Sequence, residues 1–392
     1  MNELYNILSI FVSGGILFVC GLMFLFTTIP DNPLLGNYRK ARYMMAGAYL
    51  ISVAVGILEY LFQTESPPVN YITVVQTVTL IIATSQAFLF TFAILALLEV
   101  SFSGWRYILR EAVYVLVFIA AIITAYFWCS NKTFRIFHYI FTAIYTLLLV
   151  HYSFMFLKSY RLSRLRMDNY FSDMEIGRLH WIIFSFFTAL AVGVMALLSS
   201  IFMSTLVAML FAVIFNIFYI FFAVRFINYA YQFQYIEHAM NDKTSEGTEI
   251  QCIMPLPKET VANNKITKIH GNTFSQLEKR LDEWVAGKGF TKPGITIDTL
   301  ATQFGSNSKY ISVYINTYKH QTFRNWINEL RIGEAKILLL KHPEMTINEI
   351  AFQIGFSDKS HFLKQFKKQT NISTSDWKNL AKTQNIPDCT PK

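Results

Sequence analysis

The sequence predicts an all-α chain in two parts, a seven-span transmembrane helical bundle followed by a smaller helical domain in water. Three observations carry this. Of 392 residues, 53% are hydrophobic, 36 are Phe and only 15% are charged, a balance too apolar for a water-soluble protein of this length. Charge is unevenly shared, with 13 Lys/Arg and 9 Asp/Glu in residues 1–228 against 21 and 16 in residues 229–392. The charged part also contains one helical pattern twice, starting at Thr296 and again at Thr346.

The same composition excludes a disordered, collagenous or secreted disulfide-bonded class. Cys20, Cys129, Cys252 and Cys389 have no C-x-x-C spacing and no His beside them, so no disulfide, zinc site or other cofactor is expected. The net charge of +9 admits nucleic acid or anionic lipid as a partner without arguing for either.

Seven apolar stretches are long enough to cross a bilayer core: Tyr5–Thr28, Ala41–Phe62, Tyr71–Leu98, Tyr107–Trp128, Phe134–Leu157, Gly177–Ser199 and Met203–Val224. The first has no basic leader and no small-residue cleavage site, and so reads as a span. Pro30, Pro33, Pro67 and Pro68 all fall between spans, which disfavours a transporter of interrupted helices. Orientation follows from the basic residues. The first, third and fifth connections carry Arg39, Lys40, Arg42, Arg106, Arg110, Lys158, Arg161, Arg164, Arg166 and Arg178, and the others carry only Lys132 and Arg135. That bias places the N-terminus outside the cytoplasmic membrane and the tail in the cytoplasm.

Ala48, Ser52 and Gly56 form a small-residue stripe suited to close helix packing. Glu59 and His138 are ionisable groups in or near outer span ends, where they either contact a signal or reach interfacial water. The outer connections are short, so a signal is expected to be a small molecule, a lipid or another membrane protein. Beyond the last span, Phe226, Tyr229, Phe233, Ile236 and Met240 are spaced 3, 4, 3 and 4 apart. Such a seam suits either a short homodimeric coiled coil or a helix lying on the lipid surface. Residues from Asn241 to about Gly271 turn polar and lose periodicity, as a tether does. The expected domains are residues 1–228, a membrane-exit helix and linker 229–272, a helical domain 273–385 and a terminal 386–392.

The repeat carries most of the functional information. One copy runs TIDTLATQFGSNSKYISVYI from Thr296, the other TINEIAFQIGFSDKSHFLKQF from Thr346. In each, Thr stands at a helix N-cap, an apolar residue followed by Ala (Leu300-Ala301, Ile350-Ala351) is buried one turn on, and Gly305 or Gly355 ends the helix in the left-handed conformation. A second helix begins within four residues. This is a helix-turn-helix unit, whose second helix enters the major groove of double-stranded DNA. A long helix, Phe323 to Lys341, bridges the two copies.

With two units, the bridging NELRIGEAKILL and the run IAFQIGFSDKSHFLKQFKK, residues 275–380 resemble the AraC-type DNA-binding domain, and the chain as a whole resembles its membrane-anchored versions. The resemblance implies seven helices reading two successive major grooves. Where that family usually has Gly after each recognition helix, this chain has His320 and Asn371, and Thr374 stands where Pro is usual. Asn takes the left-handed conformation readily and His less so, which predicts an altered turn in the first unit.

Helix phase turns Ile311, Ile315, Phe362 and Phe366 inward. It leaves Lys309, Ser312 and Val313, then Ser360, His361 and Lys364, facing outward at positions matching the family's base-reading residues. Lys319, Lys359, Lys367 and Lys368 are expected on phosphates, and Asp358 as a cap. No G-x-S-x-G, H-E-x-x-H, P-loop or kinase-type Gly-rich segment is present, so an enzyme is not expected. Two functions remain at this point: a membrane-integral transcription regulator, or a transporter or channel with a regulatory helical tail.

Overall fold

The computed structural model describes residues 11–29, 31, 35–65, 71–98, 105–173, 177–201, 205–240 and 266–383. Among these the secondary structure is helical and holds no strand; Phe171 and Thr296 form an isolated bridge. The chain divides into two compact units, residues 1–163 with 178–241, and residues 164–177 with 242–392.

The first unit is built from α1 (Ser13–Phe26), α2 (Gly36–Glu65), α3 (Tyr71–Leu98), α4 (Trp105–Trp128), most of α5 (Asn131–Tyr170), α6 (Gly177–Ile201) and α7 (Thr205–Met240). Six of these, α2 to α7, are long and apolar enough to cross a membrane. α1 is shorter over its described residues, and the first expected span starts at Tyr5, outside them; Pro30, Pro33, Pro67 and Pro68 lie outside them too. α5 runs 13 residues past the expected Leu157, because Lys158–Tyr170 contains no Gly or Pro to stop it.

α3 is the interior helix of this unit, with 72% of its apolar stretch buried against 17% for α4. The outer faces are as apolar as the core: on α4, Tyr114, Leu116 and Val117 are each at least 60% exposed. Such a surface is costly in water and neutral in lipid. Inside, hydroxyls tie helices together where no water can compete. Tyr38 Oη donates to Phe226 O and Tyr49 Oη to Tyr219 O, both at 2.8 Å, joining α2 to α7. Ala48 and Ser52 of the small-residue stripe are buried, and Gln86 on α3 donates to Ser52 Oγ.

The expected homodimer seam needs correction. Phe226, Tyr229 and Phe233 are buried within the unit, Phe226 stacking on Tyr38 at 5.2 Å and Tyr229 meeting Trp181 at 4.6 Å. Heptad spacing marks a face that seeks a partner, and here neighbouring helices of the same chain supply it, so these three residues are not free to pair with a second copy. The side chains of Ile236 and Met240 lie outside the described residues.

Besides the end of α5 and a 3-10 turn at Gly289–Thr291, the second unit holds seven α-helices among the described residues: α8 (Ile266–Ala286), α9 (Ile297–Gln303), α10 (Ser308–Tyr318), α11 (Phe323–Lys341), α12 (Ile347–Gln353), α13 (Lys359–Thr370) and α14 (Thr374–Thr383). α8 begins at Ile266, earlier than the expected end of the tether at Gly271. The core of the second half gathers Ile332, Ala335 and Leu339 of α11, Ile350 and Ala351 of α12, and Phe362 and Phe366 of α13, with Trp377 packed against it. α11 packs against both α10 and α12, and so carries both halves of the repeat.

Candidate nucleic-acid interface

Each helix-turn-helix unit is fixed first by its caps. Thr296 and Thr346 each accept from the backbone N–H three residues on, and Thr299 and Glu349 each accept from the cap residue's own N–H, so both copies close reciprocal capping boxes. The donation from Thr346 holds the Glu349 carboxyl below its ordinary range. Gly305 and Gly355 take φ of 57° and 92° and end α9 and α12. Asn307 caps α10 through a 2.8 Å bond from Lys309 N, and Asp358 caps α13 through a 2.7 Å bond from His361 N.

After α10 the left-handed residue comes one position later than after α13, because Lys319 caps α10 in a right-handed conformation whereas Asn371 caps α13 directly. His320 adopts φ 52° and Asn371 φ 62°, so both recognition helices end in the left-handed residue that the motif uses. His320 is exposed, so the left-handed conformation costs it only the local strain.

Ile311, Ile315, Phe362 and Phe366 are fully buried, and this sets the phase of both recognition helices. Lys309, Ser360 and Lys364 are exposed, and Ser312 and Val313 are half-buried, with Asn316 Nδ2 at 3.4 Å from Ser312 Oγ. Lys319, Lys359, Lys367 and Lys368 are exposed as well.

His361 is a correction. It is 2% exposed, its ring sits 5.2 Å from that of Phe356, and its Nε2 lies 3.2 Å from Gln365 Nε2. Residue 361 follows the cap by three positions, beside buried Phe362, and the first turn of α13 folds it over the core. Burial pushes its imidazole below the ordinary value, so it is a neutral structural group and leaves the base-reading set.

Residues 168–173, which precede α6, belong to this unit and were not singled out from the sequence. Arg331 of α11 is fully buried; its Nε and NH2 donate to the carbonyls of Phe290 and Lys292, and its NH1 donates to Asp173 Oδ1 at 2.7 Å. Asp173 Oδ2 also accepts from Gly294 N at 2.7 Å, and its carbonyl accepts from Arg324 NH2. Arg324 NH1 pairs with Asp168, Ser172 N donates to Ile295 O, and Tyr170 Oη donates to Asp298 Oδ2 at 2.6 Å. The available signal was three acids, Asp168, Asp173 and Glu175, in a connection otherwise rich in Arg.

Among the two candidate sensor residues, His138 is 4% exposed and its Nε2 has no hydrogen-bond partner among the described residues. The side chain of Glu59 lies outside them. No cluster of His, Cys, Asp or Glu suited to a metal occurs among the described residues.

The same stretch of sequence is similar to known helix-turn-helix proteins. A family described as "Helix-turn-helix domain" matches residues 300–379. An uncharacterized HTH-type transcriptional regulator from Pseudoalteromonas carrageenovora is 34% identical over 84 residues, 21% of this chain and 49% of that protein. The HTH-type transcriptional activator RhaS of Escherichia coli is 32% identical over 79 residues, 20% of this chain and 28% of that protein. The chain thus spans about half the length of the first of these curated relatives and just over a quarter of the second. The C-terminal domain of the two-component response regulator yesN from Fusobacterium nucleatum has 28% identity and a TM-score of 0.24, covering 26% of this chain and 97% of that one. The C-terminal part of the chain is an AraC-type helix-turn-helix domain.

Proposed function

We propose that this chain, which ends in an AraC-type helix-turn-helix domain, is a membrane-integral transcription regulator: seven spans hold it in the cytoplasmic membrane and sense a signal, and the tail binds promoter DNA in the cytoplasm. The observation that carries the reading is the presence in one chain of six long apolar helices and two capped helix-turn-helix units with exposed Lys309, Ser360 and Lys364. In this reading those three, with the half-buried Ser312 and Val313, face base edges, and Lys319, Lys359, Lys367 and Lys368 face phosphates.

The connection between α5 and α6 offers a route for the signal. Asp168 and Asp173 are bonded to α11 and to the approach to α9, so a shift of the ends of α5 and α6 reaches both repeats through side chains. The test is to isolate membranes from cells making the tagged chain, fragment the DNA retained with it and sequence it. Enrichment of discrete sites in the membrane fraction supports the reading. Recovery of the chain in membranes with DNA no different from untagged cells favours the transporter or channel alternative.

A further inference from the structure

A cavity of about 620 Å³ lies among the helices of the first unit, walled by α1, α2, α3, α5, α6 and α7. Its size is that of a small-molecule site. The lining is mostly Phe, Leu, Ile, Val, Ala and Gly, and among the described residues it contains no Asp, Glu, Lys, Arg or His. A charged guest would therefore be desolvated with no described lining residue to pair it.

The polar groups are few and local. Gln86 on α3 donates to Ser52 on α2, and both line the space. Ser13, also in the lining, accepts from Asn216 Nδ2 at 2.9 Å. Asn216 is 7% exposed, and its Oδ1 has no donor among the described residues. It stands on α7 beside lining residues Phe215 and Tyr219. Asn216 is not itself a lining residue, so the polar surface presented to the cavity at this end is the Ser13 hydroxyl that it holds.

We infer that the cavity binds a free, uncharged amphiphile, a long apolar chain or fused-ring body with one hydroxyl or amide head that hydrogen-bonds to the lining hydroxyl of Ser13. The inference rests on the reading of the first unit as a membrane bundle that senses, and supplies the chemical class of what it senses.

Gly56 lines the cavity, and a Cβ added there meets nothing within 4 Å. Gly56→Leu therefore fills the site while improving helix propensity. Gly47, on the same helix and outside the lining, is equally open, and Gly47→Leu is the control. The experiment uses the full chain in phosphatidylcholine nanodiscs, photolabelled with a diazirine-bearing hexadecanol and mapped by peptide mass spectrometry. The expected result is saturable labelling of peptides from α2, α3 and α7, competed by hexadecanol and not by palmitate. It falls about tenfold in Gly56→Leu, where the inserted side chain takes the place of apolar ligand contact, and is unchanged in Gly47→Leu. Unsaturable labelling, full labelling of Gly56→Leu or equal competition by palmitate overturns the proposal. So does labelling of the same peptides by a diazirine-bearing phosphatidylcholine, which would make the cavity a seat for bilayer acyl chains. Failure of the chain to enter nanodiscs would instead contradict the membrane reading itself.

Discussion

Gly305 and Gly355 stand at equivalent places in the two repeats, and the backbone is left-handed at both. A Cβ at Gly305 meets open space, whereas one at Gly355 would sit 2.5 Å from Thr291 O and 3.0 Å from Arg331 NH2. Gly305→Ala is expected to cost about 1–2 kcal/mol, from the left-handed conformation alone. Gly355→Ala adds steric overlap with a backbone carbonyl and is expected to cost at least about 3 kcal/mol. Hydrogen-exchange protection of α12 in the two variants checks the order. The sequence made the turn legible at both positions, since the pattern is local. The approach of Thr291 to Gly355 was not legible, because it joins segments that no periodicity relates.

His361 shows the same limit within a single helix. Its neighbours set the phase correctly, yet the first turn folds it inward, and an imidazole is apolar enough to stay. With its folded pKa depressed by burial, the unfolded chain takes up a proton first as pH falls below the ordinary value of 6.5. The domain's stability is therefore full above that pH and declines below it, toward the lower folded value. Protection of α13, corrected for the intrinsic pH dependence of exchange, should fall between pH 7 and pH 5 in the native chain and hold steady in His361→Gln.

At the scale of elements, the recognition helices and the 164–177 connection answer to different physics. Lys364 is exposed on α13 one turn beyond Ser360. If it reads a guanine, Lys364→Ala costs about 1–3 kcal/mol at the specific site and relaxes one base position, with random DNA bound as before. Lys367→Ala and Lys368→Ala should instead weaken specific and random DNA alike and each reduce the salt slope by about one. Equal losses across a randomised operator library would move Lys364 to the phosphate group. The helices themselves were legible because Thr296, Thr346 and Asp358 announce their starts and buried pairs fix their faces. The acidic connection was not, because Asp173 and Arg331 lie 158 residues apart and Asp168 and Arg324 lie 156 apart. Asp173→Ala leaves NH1 of a buried guanidinium without its carboxylate and is expected to cost about 3 kcal/mol. Faster exchange in residues 289–297 and in α11 would register it.

For the whole molecule, composition and the positive-inside count led to the expectation of a lipid-solvated part and a water-solvated one, and six long apolar helices are consistent with that division. The expected topology places Pro68 and Ser200 outside and Arg166 inside, so reporters fused after these residues should report accordingly; a cytoplasmic signal at Pro68 would contradict the seven-span arrangement. The central claim is that a chain held in a membrane recognises particular DNA. It is tested most directly by presenting fragmented genomic DNA to the full chain in nanodiscs and sequencing what is retained at physiological salt. The account predicts a small set of enriched fragments that share a site spanning two successive major grooves, lost when Lys309, Ser360 and Lys364 are all replaced by Ala. Retention of DNA without sequence preference, unchanged by that triple replacement, would contradict it.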